Sequence, residues 1–202
     1  YPAINNGGSD YFPEAYCCVG SFIDDYNTAT GTSYPYNPVC SGYSPAFSVL
    51  CHAVGITCTS ANGYTSYSNN TYGGYHEWNI VKINGEWYKI DVTWDDDGIN
   101  SSGTETAGYK YVYFNCEQSF FAQKHFEETL QNGTSNAADM TYPACTSTKD
   151  EFFRHMGCYA GTQADIPYAM AEALHQLVIG RNQKRFHVRV SSDLATNLNG
   201  NI

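Results

Sequence analysis

HEWNIVKINGEWYKIDVTW, residues 76–94, holds two β-rich runs on either side of Asn84-Gly85. An Asn-Gly pair between such runs is the strongest short hairpin signal, because both central residues of a type I′ turn need positive φ. Placing this pair in the turn opposes Ile83 with Glu86, and counting outward opposes Trp78 with Asp91. Side chains alternate between faces, so His76 shares a face with Trp78 and hence with Asp91. Diagonal neighbours of this kind lie about 7–8 Å apart at Cα, within reach of a histidine–carboxylate hydrogen bond. The hairpin alone therefore predicts an imidazole beside a carboxylate.

Upstream lies NPVCSGYSPAF, residues 37–47, followed by apolar residues at helical spacing through Phe47, Leu50 and Val54 to Gly55. A helix is expected here, stopped by the glycine. Ser44-Pro45 forms a good N-cap and first-turn pair, which would leave Cys40 a turn outside the helix. The preferred register starts near Ser41 and accepts the loss of one early hydrogen bond at Pro45. In that register Cys40 sits where unpaired N–H groups and the helix dipole stabilise a thiolate. Nucleophilic thiol chemistry needs a thiolate, a base and a group that orients the base. Cys40, His76 and Asp91 supply those types in that order.

Composition limits the alternatives. The 202 residues are 42% hydrophobic and 15% aromatic, enough to bury a core in one domain of ordinary size. Ten Lys and Arg against twenty Asp and Glu give a net charge of −10, so a nucleic-acid partner is not expected. No apolar run is long enough to span a bilayer, and membrane insertion is not expected. The chain opens on Tyr1 and reads as a processed or excised segment, so a missing signal peptide carries no information. The acidic balance fits an extracellular or cell-surface setting.

The eight cysteines contain no CxxC pair, and no metal or cofactor is expected. Cys51 with Cys58 and Cys145 with Cys158 are candidate disulfides, although a free Cys40 leaves an odd number. Asp95, Asp96 and Asp97 are expected to form a solvated turn rather than a calcium site. Asn69, Asn100 and Asn132 occupy N-x-S/T triplets.

Residues 1–10 read as an extended lead-in, 11–26 as a first helix, 63–74 as a polar loop, and 109–116 as a strand. Residues 132–144 read as a linker. Residues 145–202 read as strand, helix, strand, a βαβ-type region that either forms a small α/β unit or completes the same domain. Its helix carries Ile166, Met170, Leu174, Leu177 and Val178 on one stripe, with Asp165 as N-cap and Gly180 as stop. His52, His125, His155, His175 and His187 have no assigned partner.

The blocks VCSGYSPAFSVLCHAVGI and YHEWNIVKINGEWYKIDVTWDD resemble the transglutaminase-like superfamily, particularly its bacterial members. The matching pattern is C-x-G-Y-(small)-x-A-F, then H-x-W-N-x-V, then W-Y-x-(apolar)-D-(apolar)-T-W-(acid), with spacings of 36 and 15 between the key residues. The later YKYVYFNCEQSF…KHF also looks like a segment found in such proteins. The resemblance implies an α+β, papain-like core over residues 11–131, with an active-site helix packed on an antiparallel sheet. It implies Cys40 as nucleophile, His76 as general base and acid, and Asp91 as the group that orients His76. Tyr43 and Trp78 would support the cleft. The backbone N–H of Cys40 is one oxyanion donor, and residues 32–36 are where a second is sought. Acyl transfer or hydrolysis at protein or peptide amides through a thioester is the implied activity, with hydrolysis slightly favoured and cell-wall peptide among the substrates. The alternative is a surface binding module that keeps the fold without the chemistry.

Overall fold

A computed structural model describes residues 16, 18–22, 38–68, 71–96, 111–128, 141–179 and 187–199. The lead-in at 1–10, the linker over 132–140, the three N-x-S/T asparagines and most of the first expected helix lie outside them. Of that helix, a 3-10 segment at Cys18–Phe22 is described.

The main sheet has four antiparallel strands: β1 (Thr57–Ser68), β2 (Thr71–Ile83), β3 (Glu86–Ile90) and β4 (His125–Glu127), in the order β3-β2-β1-β4. The β2–β3 turn is Asn84-Gly85, with φ of 50° and 90°, and its register opposes Ile83 with Glu86 as the sequence predicts. Both residues occupy the left-handed region, which Asn and Gly tolerate better than other residues. The expected loop at 63–74 is instead largely strand, with β1 and β2 pairing from Thr57–Lys82 out to Ser68–Thr71. Polar composition misleads there because the inward positions Ala61, Gly63 and Thr65 are buried under larger neighbours.

Helix α1 (Cys40–Ala53) packs on one face of the sheet. Phe47 and Cys51 join Cys58, Val81, Tyr88 and Ile90 in a cluster beneath it. The helix ends as expected, with Gly55 at φ 79°. The opposite face carries Ala61, Trp78 and Ile80, covered by Cys116, Phe121 and Cys145. Phe121 ends the short helix α3 (Gln118–Phe121), which follows α2 (Val92–Asp95).

The expected strand at 109–116 is, where described, a turn. Tyr111 and Asn115 take positive φ of 51° and 56°, and pairing is confined to a bridge between Cys116 and Lys89. Those two kinks break the extended path that the aromatic alternation suggests.

The C-terminal region contains α4 (Phe152–His155), β5 (Tyr159–Ala160), α5 (Ile166–Ile179), β6 (Arg189–Val190) and α6 (Ser192–Asn199). β5 and β6 are parallel and joined through α5, the expected βαβ unit, and they form their own two-stranded sheet. Asp165 closes a capping box with Thr162, in a 3-10 turn that leads into α5. The buried face of α5 is not the expected stripe. Ala169 and Ala173 are buried, whereas Met170, Leu174 and Val178 are 43%, 44% and 82% exposed. Small side chains allow close approach to β5, and the larger ones point away.

Cysteine 17 lies outside the described residues; the seven described cysteines are free thiols. Cys145 and Cys158 belong to different clusters, so that candidate disulfide is not formed. Cys51 and Cys58 share a cluster as free thiols, so that candidate disulfide is not formed either.

Candidate active site

Residue Cys40 is the first residue of α1, one position earlier than the preferred register and well before Ser44. Pro45 lies inside the helix, where it removes the bond that its N–H would have made to Ser41. The helix tolerates this because Asn79 anchors it from the sheet. Its side-chain amide donates to the Ser44 carbonyl at 2.9 Å and to Ser48 Oγ at 3.0 Å. Asn79, fully buried on the α1 face of β2, thus links the H-x-W-N run to the cysteine helix.

Pairing between β2 and β3 stops at Asn79–Ile90, so β2 continues past β3 through Glu77 and His76. Cys40 meets that extension. Its thiol contacts His76 and receives backbone hydrogen bonds at Glu77 and Ser41. Burial pushes the thiol pKa up, but the hydrogen bond and charge of His76, helped by the two backbone bonds, bring it below its ordinary value.

The side chain of Asp91 receives three donors. Its Oδ1 accepts the Trp94 backbone N–H at 3.0 Å, which makes Asp91 the N-cap of α2. Its Oδ2 accepts the ring N–H of His76 at 2.7 Å and that of His125 at 2.8 Å, in each case from Nε2. This explains the D-x-T-W spacing: a capping carboxylate bonds the N–H three residues on, which leaves its second oxygen for the histidines. Burial raises the Asp91 pKa, yet the bonds from His125 and His76 hold it below the ordinary aspartate value. For His76, burial alone would lower the pKa, but Asp91 and Cys40 raise it to about 9. With Nε2 committed to Asp91, Nδ1 is the nitrogen left for Cys40. The arrangement lowers the thiol pKa of Cys40 and raises the imidazole pKa of His76, both in the direction of a thiolate–imidazolium pair.

His125 is the residue that sequence reasoning missed. It arrives on the three-residue strand β4, opposite Thr65, and reaches Asp91 over the small side of β1. It is 1% exposed and stacks on Phe121 at 3.9 Å between centroids, with Trp94 at 4.5 Å. Only the quoted KHF segment hinted at it. Gly63 makes the crossing possible: a Cβ there would overlap the Phe126 carbonyl and come within 2.7 Å of the Trp78 ring. An ion pair between Lys89 of β3 and Glu127 of β4 spans the same face.

Trp78 is fully buried and backs the site from the core, 6.2 Å from His76 and 5.3 Å from His125 between ring centroids. Tyr43, half-buried on α1, donates its hydroxyl to Asp96 and so ties the cysteine helix to the end of α2. Asp95 does not belong to a solvated turn as expected. It is buried and accepts the Tyr113 N–H at 2.8 Å, and burial raises its pKa to about 7. Asp97 and residues 32–36, where a second oxyanion donor was sought, lie outside the described residues.

His76, Asp91 and His125 place one ligand-type atom each within 4.8 Å of one another, a donor set suited to a divalent metal. However, both Nε2 atoms lie 2.7–2.8 Å from the same carboxylate oxygen. Ligands around a tetrahedral zinc with bonds near 2.0 Å stand about 3.3 Å apart. The contacts are those of a hydrogen-bonded relay, in which the imidazole protons occupy the positions that a metal would need.

Residues 20–92 match the family model described as the transglutaminase-like superfamily. The chain is also 27% identical over 96 residues to kyphoscoliosis peptidase of Mus musculus and, to the same extent, to that of Homo sapiens. Each alignment covers 44% of this chain and 14% of the relative, so the chain spans a small part of those proteins' length. The fold is of the mixed α+β class, and residues 20–92, which include the helix that begins at Cys40 and most of the antiparallel sheet behind it, are similar to a transglutaminase-like domain.

Proposed function

We propose that the protein is a cysteine acyltransferase or hydrolase acting on protein or peptide amides. The observation that carries this reading is the Cys40 thiol at the start of a helix, facing His76, which is itself hydrogen-bonded to Asp91 at 2.7 Å. In the proposed reaction the Cys40 thiolate attacks an amide carbonyl, while the unpaired N–H of Cys40 at the first helical position faces the developing oxyanion. The His76 imidazolium donates its Nδ1 proton to the departing amine, leaving a thioester on Cys40. His76, now neutral, accepts a proton from the incoming water or amine, which releases a carboxylic acid or a new amide. Asp91 stabilises the imidazolium and holds the ring's tautomer throughout. The similarity to kyphoscoliosis peptidase favours water as the resolving nucleophile. A binding module without chemistry leaves the thiol–imidazole contact unused.

Substrates of the extracellular or cell-surface kind, including cell-wall peptide, fit the acidic, tyrosine-rich chain. The test is incubation with a glutamine-containing peptide and a labelled primary amine, with peptides analysed by mass spectrometry. Release of new amino termini supports hydrolysis, and amine incorporation supports transfer. Loss of both in Cys40→Ala ties them to this thiol; products that persist in that variant overturn the proposal.

A further inference from the structure

Deepening the proposed thiol chemistry and resting on it, we infer that His125 is a fourth member of the unit, a positioning residue that clamps Asp91 Oδ2 and thereby fixes the His76 ring opposite Cys40. A buried histidine more often fills a core than serves a site, and the geometry here decides against that reading. His125 Nε2 meets the same carboxylate oxygen as His76 Nε2, at 2.8 Å against 2.7 Å. Its ring is held between Phe121 and Trp94, with Tyr113 edge-on at 5.0 Å, so it has little freedom to turn. Trp94 is itself placed by Asp91, through the capping bond to its backbone N–H. Ring, carboxylate and indole therefore constrain one another.

Function follows from the shared oxygen. An Asp91 with a single imidazole partner is free to rotate about its side chain and carry His76 with it. With a second N–H on the same oxygen and a backbone N–H on the other, its rotation is blocked from both sides. For this His125 must stay neutral, since two imidazolium rings would face each other at 5.8 Å between centroids. Burial lowers its pKa more than the Asp91 bond raises it. The other titratable groups facing the cluster are Cys40 and Glu77 beside His76, and Tyr113 and Asp95 beside Asp91. None of these supplies a second side-chain donor to Asp91 Oδ2 among the described contacts.

The test uses the full chain and iodoacetamide, with alkylation of Cys40 resolved by peptide mass spectrometry from pH 5 to 10. His125→Phe keeps the stacked ring and removes the donor, whereas His125→Gln keeps an N–H near the position of Nε2. The Phe variant is expected to alkylate about 10- to 100-fold more slowly at pH 6, the rate equivalent of one hydrogen bond to a charged group, with a displaced pH midpoint. The Gln variant is expected to stay within about threefold of the parent, since the donor is what counts. A Phe variant with the parent profile, or a Gln variant as slow as Phe, overturns the inference. If His125→Phe does not fold, ¹⁵N-imidazole NMR of the parent decides. A neutral His125 with its proton on Nε2 supports the clamp, and a bare Nε2 overturns it. Failure of the parent itself to alkylate at Cys40 below pH 7 refutes the proposed thiol chemistry instead, so the two failures are distinct.

Discussion

Replacing Asp91 with Asn tests how much of the site depends on one carboxylate. The side chain accepts from His76 and His125 on one oxygen and from the Trp94 N–H on the other. Asn has a single acceptor oxygen, so each of its orientations breaks something. With its oxygen toward the imidazoles, its N–H₂ confronts the Trp94 N–H and α2 loses its cap. With its N–H₂ toward the imidazoles, both Nε2 atoms must become acceptors. His76 then carries its proton on Nδ1 and cannot take one from Cys40. In either orientation the imidazolium loses its negative partner. A hydrogen bond to a charged group contributes about 1.5–3 kcal/mol, which alone slows the reaction about 10- to 100-fold at 1.36 kcal/mol per decade. The tautomer fault extends the loss toward about 10⁴-fold, its cost in comparable triads. A suitable assay is release of p-nitrophenolate from p-nitrophenyl acetate at pH 7, with thermal melting followed in parallel. A folded Asp91→Asn protein that retains more than about a third of the parent rate, where at least a tenfold loss is expected, would refute the reasoning.

Other substitutions probe the scaffold. Gly63→Ala should lower stability by about 1–3 kcal/mol, because the new methyl group overlaps the Phe126 backbone and crowds Trp78; an unchanged melting temperature contradicts the close crossing of β4 over β1. Asp95→Asn should be stabilising in alkaline solution. The carboxyl titrates at about 7 in the fold against an ordinary 3.8. The folded state therefore prefers the proton, and stability falls as pH rises from the unfolded value to the folded one and stays low above it. Asn removes that loss, so a rise in Tm of about 4–8 °C is expected at pH 8 and little change at pH 4. Equal shifts at both pH values would contradict a buried, proton-retaining Asp95.

The parts of this architecture legible in the sequence were those encoded locally. Asn84-Gly85 can hardly adopt anything but a tight hairpin turn, and that turn fixes the face shared by His76 and Asp91. The helix at Cys40 was legible from its apolar spacing and Gly55, although Pro45 obscured its start; what offsets Pro45 is Asn79, a contact 35 residues away in sequence. His125 was illegible for a similar reason. A three-residue strand has no periodicity to read, and its importance comes from crossing β1 to a carboxylate 34 residues earlier. The far half of β1, residues 63–68, reads as a loop because its small and polar residues show no strand pattern until Trp78 and His125 lie across them. In α5 the large apolar residues read as the core, whereas packing close to β5 selects Ala169 and Ala173.

The proposed chemistry requires Cys40 to be a thiolate paired with His76 before any substrate arrives. Thiolate absorbance near 240 nm, titrated from pH 4 to 10 as the difference between the parent and Cys40→Ser, measures this directly. Thiolate should be present at pH 7 and should titrate away with a midpoint below the ordinary thiol value of 9.0. In His76→Ala the same signal should appear only near pH 9 or above. A parent whose difference signal also waits until pH 9 would contradict the paired thiolate, and with it the proposed chemistry.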